Sequence, residues 1–211
     1  MRSAAILAGG KATRFDGRDK SALIVDGRTI LERQIAEIST VCEDIMIVGE
    51  PPSGGAFDLR ASAHFAEPSG ARRARLVADI VPGCGPLGGL HAALSAACGN
   101  AVFLVACDMP YVSAALVDYL FSLTSEGAIV VPQTDRGYHP LCAVYSRACL
   151  EPVAARIAER RLTLRALADD VPTRVVSGLE IARFGLPSQL LANVNTPAEY
   201  AALEAIQGHK L

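Results

Sequence analysis

The sequence predicts one α/β domain spanning residues 1–211, a three-layer arrangement with helices on both faces of a mostly parallel, Rossmann-like sheet. Three short apolar runs, 3–7, 44–48 and 101–106, have the length and composition of buried strands. A helix pattern lies between the first two runs, and this order produces parallel strands joined by a right-handed crossover. No linker-like change of composition divides the chain, whose length supports one sizeable core.

Composition limits the possible functions. The chain is 51% apolar and 20% charged, as in globular proteins, and its net charge of −2 argues against nucleic acid held by bulk positive charge. No apolar run approaches the roughly 18–20 residues that span a bilayer. Met1-Arg2-Ser3 leads directly into the first strand, without a signal peptide. We expect no nucleic-acid partner, no membrane anchor and a cytoplasmic location.

The cysteines predict neither a disulfide framework nor a zinc site, because their spacing is irregular and no C-x-x-C pair occurs. Only four histidines are present, and they are scattered. Reduced, partly buried thiols are therefore expected, as in cytoplasmic proteins. The six cysteines are Cys42, Cys84, Cys98, Cys107, Cys142 and Cys149.

The segment after the first strand suits a polyanion. Gly9 and Gly10 have no Cβ, so a phosphate can come close to their backbone N–H groups. Arg14 and Lys20 then add a planar guanidinium and a compact ammonium. The sequence lacks the Walker motif G-x-x-x-x-G-K-[ST]. We therefore predict a nucleoside-triphosphate loop of another kind, and a solvated surface turn is the alternative.

The helix between the first two strands has a recognisable start. Thr29 and Glu32 fit a capping box, and apolar residues follow at three- and four-residue spacing. The second strand ends at Gly49. Residues 50–74 contain prolines and glycines that break any periodicity, so no regular element is predicted there.

A third strand is predicted over 75–81, followed by a loop and a helix that begins near His91. The loop contains the pattern G-x-G-x-x-G, at Gly83, Gly85 and Gly88. After a strand and before a helix, this pattern is typical of dinucleotide-binding proteins. Pro86 removes an N–H group from the loop, and a dinucleotide site would leave the first loop unexplained. A non-catalytic dinucleotide binder is the alternative from another functional class.

Asp108 follows the clearest buried strand, 101–106. A carboxylate at such a position is costly unless it is hydrogen-bonded or meets a cation. Ligands of open α/β sheets lie outside the carboxyl ends of the strands, so Asp108 and the Gly9–Lys20 loop are expected to face one crevice. The structural alternative is a turn former or helix cap ahead of Pro110.

The remaining chain predicts further elements and several polar candidates. His139 is held extended by Pro140, Arg160 and Arg161 stand in a charge cluster, and each has a plain structural alternative. Asn193 and Asn195 project from one face of a predicted strand over 190–195. The other predicted elements are a helix over 114–123 capped by Ser113, a strand over 128–132, a loop and then a strand within 137–145, helices over 147–159 and 163–169, and a last helix that begins at Thr196-Pro197.

Four motifs occur in the order of one family. They are L-A-G-G-x-x-x-R with G-x-D-K at 7–20, G-P-L-x-G at 85–89, C-D-x-P at 107–110 and N-V-N-T-P at 193–197. The chain resembles the molybdenum cofactor guanylyltransferases, also described as the molybdopterin-guanine dinucleotide biosynthesis protein A family, of the nucleotidyltransferase superfamily. Phe15-Asp16 departs from that family's Met before glycine. The resemblance implies a fold of the nucleotide-diphospho-sugar transferase type, with one antiparallel strand in the sheet.

The resemblance also implies a reaction, in which GMP from GTP is joined to the terminal phosphate of molybdopterin with Mg²⁺ and pyrophosphate is released. In that reaction the nucleotide is held by the backbone of the first loop, and Asp108 carries Mg²⁺ with Asn195 near it. Arg14 binds the β- and γ-phosphates, and Lys20 stabilises charge on the α-phosphate. The other implied contacts are Leu7, Ala8, Gly9 and Gly10 with the nucleotide, Asp79 with guanine, and His139, Arg160, Arg161 and Asn193 with the acceptor.

Two related activities stay open. The family's second-strand Asn is replaced around Val48-Gly49, so a cytidylyltransferase acting on the same cofactor is the close alternative. A transferase that makes an activated sugar or alcohol is the broader one. Besides GTP and molybdopterin, other proteins that build or receive the molybdenum cofactor are the partners that the resemblance implies.

Overall fold

The computed structural model describes residues 1–8, 23–25, 27–49 and 74–194. Most of the predicted phosphate loop therefore lies outside the described residues, as do residues 50–73 and the expected C-terminal helix. Among the predicted site residues, those outside are Gly9, Gly10, Arg14, Lys20 and Asn195. No helix within the described ranges is long and apolar enough to cross a membrane.

The described chain forms ten strands and six α-helices, with two short 3₁₀ helices at Arg147–Cys149 and Leu164–Asp169. The strands are β1 (Ser3–Leu7), β2 (Ile24–Val25), β3 (Arg28–Thr29), β4 (Asp44–Val48), β5 (Arg75–Val77), β6 (Ala101–Ala106), β7 (Ile129–Thr134), β8 (Gly137–Tyr138), β9 (Cys142–Ser146) and β10 (Thr173–Val176). The helices are α1 (Ile30–Ile38), α2 (Gly85–Ala96), α3 (Ala114–Ser122), α4 (Leu150–Ala158), α5 (Gly178–Ile181) and α6 (Pro187–Leu190).

The central sheet is mixed and mostly parallel. Its order is β10-β7-β9-β6-β1-β4-β5, and β8 pairs with β7. Within that order β9 runs antiparallel to both of its neighbours, β6 and β7. This confirms the mixed sheet that the family resemblance implied. The strands β2 and β3 form a separate antiparallel hairpin.

Alternating side chains of the sheet enter two cores, one on each face. Ala4 and Ile6 pack in the core that includes residues of α1 and α3. Ala5 and Leu7 pack in the core that includes residues of α2 and α4. The period of two along a strand produces this division, and helices on both faces confirm the predicted three-layer arrangement.

The chain reverses its direction of winding at β1. From β1 it passes through α1 to β4 on one side, and from β5 it returns through α2 to β6 on the other side of β1. A gap between crossovers that lead in opposite directions is where open α/β sheets bind ligands. The fold therefore directs attention to the carboxyl ends of β1 and β6.

Two predicted boundaries were wrong around the third strand. The strand ends at Val77 instead of 81, because its neighbour β4 ends at Val48 and offers no further partner. The next helix begins at Gly85, well before His91, with Pro86 in its first turn. Proline suits that position, since its missing N–H group would have no partner there anyway.

The strand predicted over 190–195 was also wrong in its described part. Leu190 ends the short helix α6, and Ala192–Val194 have no regular structure. Pro187 begins α6 in the position that proline favours, which places the apolar pair Leu190-Leu191 at a helix end. The β2–β3 hairpin, β10 and α5 were not predicted from the sequence.

Candidate active site

The ends of β1 and β6 lie side by side and bring three predicted site residues together. Cys107 N donates to the carbonyl oxygen of Leu7 at 3.2 Å, so the turn after β6 is fixed against the end of β1. On the other side, Ala8 N donates to the carbonyl oxygen of Val48 at 2.9 Å. The main chain therefore enters the predicted phosphate loop between β4 and the turn that carries Asp108.

Asp108 lies just beyond the carboxyl end of β6, and its Oδ1 is buried. Its carbonyl oxygen accepts a hydrogen bond from Val194 N at 2.8 Å. This bond brings Asn193 beside the turn after β6, although 190–194 is not a strand. Asp108 and the segment that leads to Asn195 are thus neighbours, as the shared crevice requires.

The amino end of α2 reaches the same edge. A Cβ added to Gly89 would lie 2.7 Å from Cδ2 of Leu7, so the glycine permits the close packing of α2 on the end of β1. The first turn of a helix carries unpaired N–H groups and the positive end of the helix dipole, which favour an anion. The G-P-L-x-G motif therefore places a favourable helix end next to the predicted nucleotide loop.

The G-x-G-x-x-G pattern has a different structural role from a dinucleotide loop. Gly83 and Gly85 have positive φ angles of 77° and 57°, and Gly88 already lies within α2. The strand before it, β5, is at the edge of the described sheet and not at the reversal beside β1. The pattern thus forms a turn and a helix start.

Asp79 is exposed and lies two residues beyond β5. Gly49 N donates to the carbonyl oxygen of Val77 at 3.1 Å, so the end of β5 is joined to the end of β4. At about 4.8 Å per strand, β5 is about 10 Å from β1. This separation suits a residue that contacts the base of a nucleotide whose phosphates lie near β1.

His139 lies on the opposite side of β6 from Asp79. Its Nε2 is 2.8 Å from Oγ1 of Thr134, and its backbone N donates to the carbonyl oxygen of Pro132 at 2.9 Å. Burial, together with the charge of Arg136, lowers the pKa of the imidazole below its ordinary value. His139 is therefore neutral at pH 7 and held in one orientation beside the start of β9.

The paired arginines after α4 differ in what they contact. Arg161 Nε is 2.6 Å from Oε2 of Glu159, and its NH1 is 3.7 Å from Oδ2 of Asp170. Arg160 is exposed and has a positive φ of 58°. These contacts do not bring the pair to Asp108, and their acceptor role stays a prediction.

Gln34 was missed by the sequence analysis. It is fully buried on α1 and donates to two main-chain carbonyl groups of the turn after β6. The signal was present, since an amide stood between Leu31 and Ile38 on the apolar face of a predicted helix.

The described acidic side chains suit a cation that is shared with substrate. Within the described ranges, no group of three or more His, Cys, Asp or Glu side chains could enclose a metal. Mg²⁺ commonly uses one or two carboxylates and completes its shell with phosphate oxygens and water. Asp108, beside the predicted phosphate loop, fits that donor pattern.

Residues 4–174 match a family model described as the MobA-like NTP transferase domain. The chain belongs to this family. A relative from Desulfosudis oleivorans, named molybdenum cofactor guanylyltransferase, is 31% identical over 201 residues, which are 95% of this chain and 93% of the relative. The MobA-like assignment confirms the resemblance drawn from the four motifs, and the chain is a nucleotidyltransferase.

Solved structures show how widely the MobA-like fold is used. Molybdopterin-guanine dinucleotide biosynthesis protein A from Archaeoglobus fulgidus has a TM-score of 0.75 at 20% identity, covering 98% of both chains. A 2-C-methyl-D-erythritol 4-phosphate cytidylyltransferase from Thermus thermophilus has a TM-score of 0.66 at 18% identity, again covering 98% of both chains. The predicted fold class is confirmed, and the same fold serves more than one nucleotide.

Proposed function

We propose that this chain transfers GMP from GTP to the terminal phosphate of molybdopterin, forming the guanine dinucleotide cofactor and releasing pyrophosphate. The similarity to a named molybdenum cofactor guanylyltransferase along 95% of the chain carries this proposal. The geometry supports it, because the hydrogen bond between Cys107 and Leu7 brings the segments of Asp108 and Ala8 together where such sheets bind ligands.

The reaction joins two anions. An oxygen of the acceptor's terminal phosphate attacks the α-phosphorus of GTP, the new P–O bond forms, and the bond to the bridging oxygen of pyrophosphate breaks. The attacking phosphate is already ionised near neutral pH, so no general base is required. Positioning and charge neutralisation therefore supply most of the catalysis.

The nucleotide side of the site lies on β1, β4 and β5. The backbone of Leu7 and Ala8 begins the loop that holds the phosphates, with the amino end of α2 beside it. The carboxylate of Asp79 would accept the N–H donors on the Watson–Crick edge of guanine. Gly9, Gly10, Arg14 and Lys20 complete this side through the roles that the motif assigns to them.

Asp108 would hold Mg²⁺ together with phosphate oxygens, and Asn195 would stand near it. Bound there, Mg²⁺ supplies neutralisation of the charge that develops on the phosphates. The chain's own contribution is to keep the Asp108 carboxylate beside the phosphate loop. The bonds of Cys107 and Val194 to neighbouring segments supply that positioning.

The acceptor side lies beyond β6, toward β9. His139 is neutral and can hydrogen-bond the acceptor without adding a charge, and Asn193 lies beside the turn of Asp108. Arg160 and Arg161 are the proposed contacts for the acceptor's phosphate. Proteins that supply or receive the cofactor, and the cytoplasmic location, complete the proposal.

An assay of nucleotide selectivity tests the proposed function. Purified enzyme is incubated with molybdopterin, Mg²⁺ and either GTP or CTP, and pyrophosphate release is followed with the dinucleotide product. We expect release with GTP and molybdopterin together and none when either is omitted. Release with CTP and molybdopterin, but not with GTP, would identify a cytidylyltransferase and overturn the proposal. Release only with a sugar or alcohol phosphate as acceptor would indicate a transferase that makes an activated sugar or alcohol.

A further inference from the structure

Gln34 joins α1 to a turn that begins 72 residues later in the sequence. Its Nε2 donates to the carbonyl oxygen of Ala106 at 2.7 Å and to that of Met109 at 2.9 Å. Both acceptors are carbonyl oxygens, so the nitrogen of the amide must face them. Both distances are normal for hydrogen bonds of this kind, and the side chain is fully buried.

The two acceptors are the first and last residues of one tight turn. Met109 N donates to the carbonyl oxygen of Ala106 at 3.3 Å, which closes the four-residue turn. Asp108 is the third residue of this turn. Gln34 therefore fixes both ends of the segment that carries the proposed metal-binding carboxylate.

Burial of this amide needs a reason beyond filling space. The Oε1 of Gln34 is buried with no hydrogen-bond partner among the described residues. An apolar side chain of similar size would fill the same space without burying that oxygen. What such a side chain could not supply is the pair of donors to the turn.

Other bonds hold the same turn from two further directions. Cys107 N is bonded to Leu7 at the end of β1, and Val194 N is bonded to the carbonyl oxygen of Asp108. With Gln34, three separate segments of the chain set the position of one turn. Such multiple anchoring is expected where a ligand must be held to within a fraction of an ångström.

We infer that Gln34 is a positioning residue, whose two hydrogen bonds to the Ala106–Met109 turn place the Asp108 carboxylate for metal and phosphate binding. The inference rests on the proposed function, since it takes Asp108 as the metal ligand. Because Gln34 is fully buried, we assign it a role through the turn and not by contact with substrate or metal. Its loss lets the turn relax, which weakens metal binding and lowers the rate of transfer.

The test compares Gln34→Met with Ile38→Val, a core substitution on the same helix that leaves both hydrogen bonds of Gln34 in place. Mn²⁺ affinity in the presence of GTP is measured by electron paramagnetic resonance, and kcat and KM are measured in the pyrophosphate assay. For Gln34→Met we expect Mn²⁺ affinity and kcat each to fall about tenfold, the usual effect of losing a group that orients a metal ligand. Its KM for GTP should change little.

The control variant should keep both values while it lowers the melting temperature. If Gln34→Met does not fold, Gln34→Asn replaces it, because its amide is one methylene too short to reach both carbonyl groups. Either variant matching Ile38→Val in Mn²⁺ affinity and kcat would overturn the inference.

Asp108→Asn is measured alongside to separate the two hypotheses. Weak Mn²⁺ binding in Asp108→Asn with normal binding in the Gln34 variants would overturn the inference alone. Normal Mn²⁺ binding in Asp108→Asn would overturn the metal assignment, and the inference with it.

Discussion

Two aspartates at opposite ends of the strands of the same sheet have different surroundings. Asp44 begins β4, and its carboxylate accepts hydrogen bonds from Ser3 Oγ at 2.8 Å, Arg75 Nε at 2.9 Å and Cys98 N at 3.0 Å. Asp108 follows β6, at the carboxyl ends of the strands. There the hydrogen bonds from Gln34 and Val194 go to main-chain carbonyl groups of its turn. After β6, distant segments of the chain therefore also hold the main chain that carries the carboxylate.

We propose from this comparison that Asp44 has a structural role and that Asp108 serves a ligand. The donors around Asp44 join β1, β4, β5 and the segment before β6 into one network at the amino ends of these strands. The anchors around Asp108 position its turn beside the predicted phosphate loop. The same substitution, aspartate to asparagine, can therefore be made at both residues, and its effects on stability and on activity can be compared.

Asp108→Asn should give the largest effect on catalysis. Losing the negative charge removes the ligand of the proposed Mg²⁺, and metal ions supply several kcal/mol of charge stabilisation in such reactions. We expect turnover to fall at least about 10³-fold with the melting temperature little changed. Pyrophosphate release and thermal denaturation check this, and wild-type turnover would contradict the role of Asp108.

Lys20→Ala should rank next. We propose that its ammonium stabilises charge on the α-phosphate, and loss of one preorganised charge partner typically costs about 10²–10³ in rate. Single-turnover kinetics with GTP measure the effect. Lys20→Arg is the matched variant, because it keeps the charge and changes the geometry. Near-normal turnover in Lys20→Ala would remove the residue from the mechanism.

Asp44→Asn should leave turnover within about twofold and lower stability instead. Hydrogen bonds to a charged group are each worth about 1.5–3 kcal/mol, so we expect the free energy of unfolding to fall by about 2 kcal/mol. Denaturant unfolding at pH 7 measures this change. A large loss of turnover in a folded Asp44→Asn protein would contradict the purely structural role of Asp44.

The pH dependence of unfolding sharpens the same prediction. Burial raises the pKa of Asp44, but the hydrogen bonds from Arg75, Cys98 and Ser3 outweigh it, and the net shift is downward. The stabilisation is therefore complete above about pH 4 and is lost as the pH falls through the lowered pKa. The difference between wild type and Asp44→Asn should shrink below about pH 4. A constant difference across that range would show that the charge is not its source.

Much of the fold was predictable because strong local signals agreed with the tertiary structure. The capping box at Thr29 and Glu32 is present with both of its hydrogen bonds. The runs 3–7 and 101–106 are the central strands β1 and β6. Such runs are apolar enough to be buried on both faces of a sheet, so their local preference for a strand agrees with the tertiary structure.

The errors occurred where pairing partners or neighbours decide the structure. The apolar residues after Val77 resemble a strand, and they leave the sheet because β4 has ended. Ser177 and Glu180 form a capping box for α5, so a local signal for this helix was present in the sequence. Gln34 shows the limit for the site, since nothing local tells which distant carbonyl groups a buried amide will bind.

The proposed acceptor side lies toward the antiparallel strand β9, apart from the strands β1, β4 and β5 of the proposed nucleotide side. Because β9 starts at the edge where β6 ends, the hairpin of β7 and β8 delivers His139 there as a self-contained loop. If His139 contacts the acceptor as proposed, exchanging residues 134–141 between members of the family would alter the choice of acceptor while nucleotide handling stays as it was. Such enzymes can diversify through one small exchangeable segment, on a scaffold that itself stays the same.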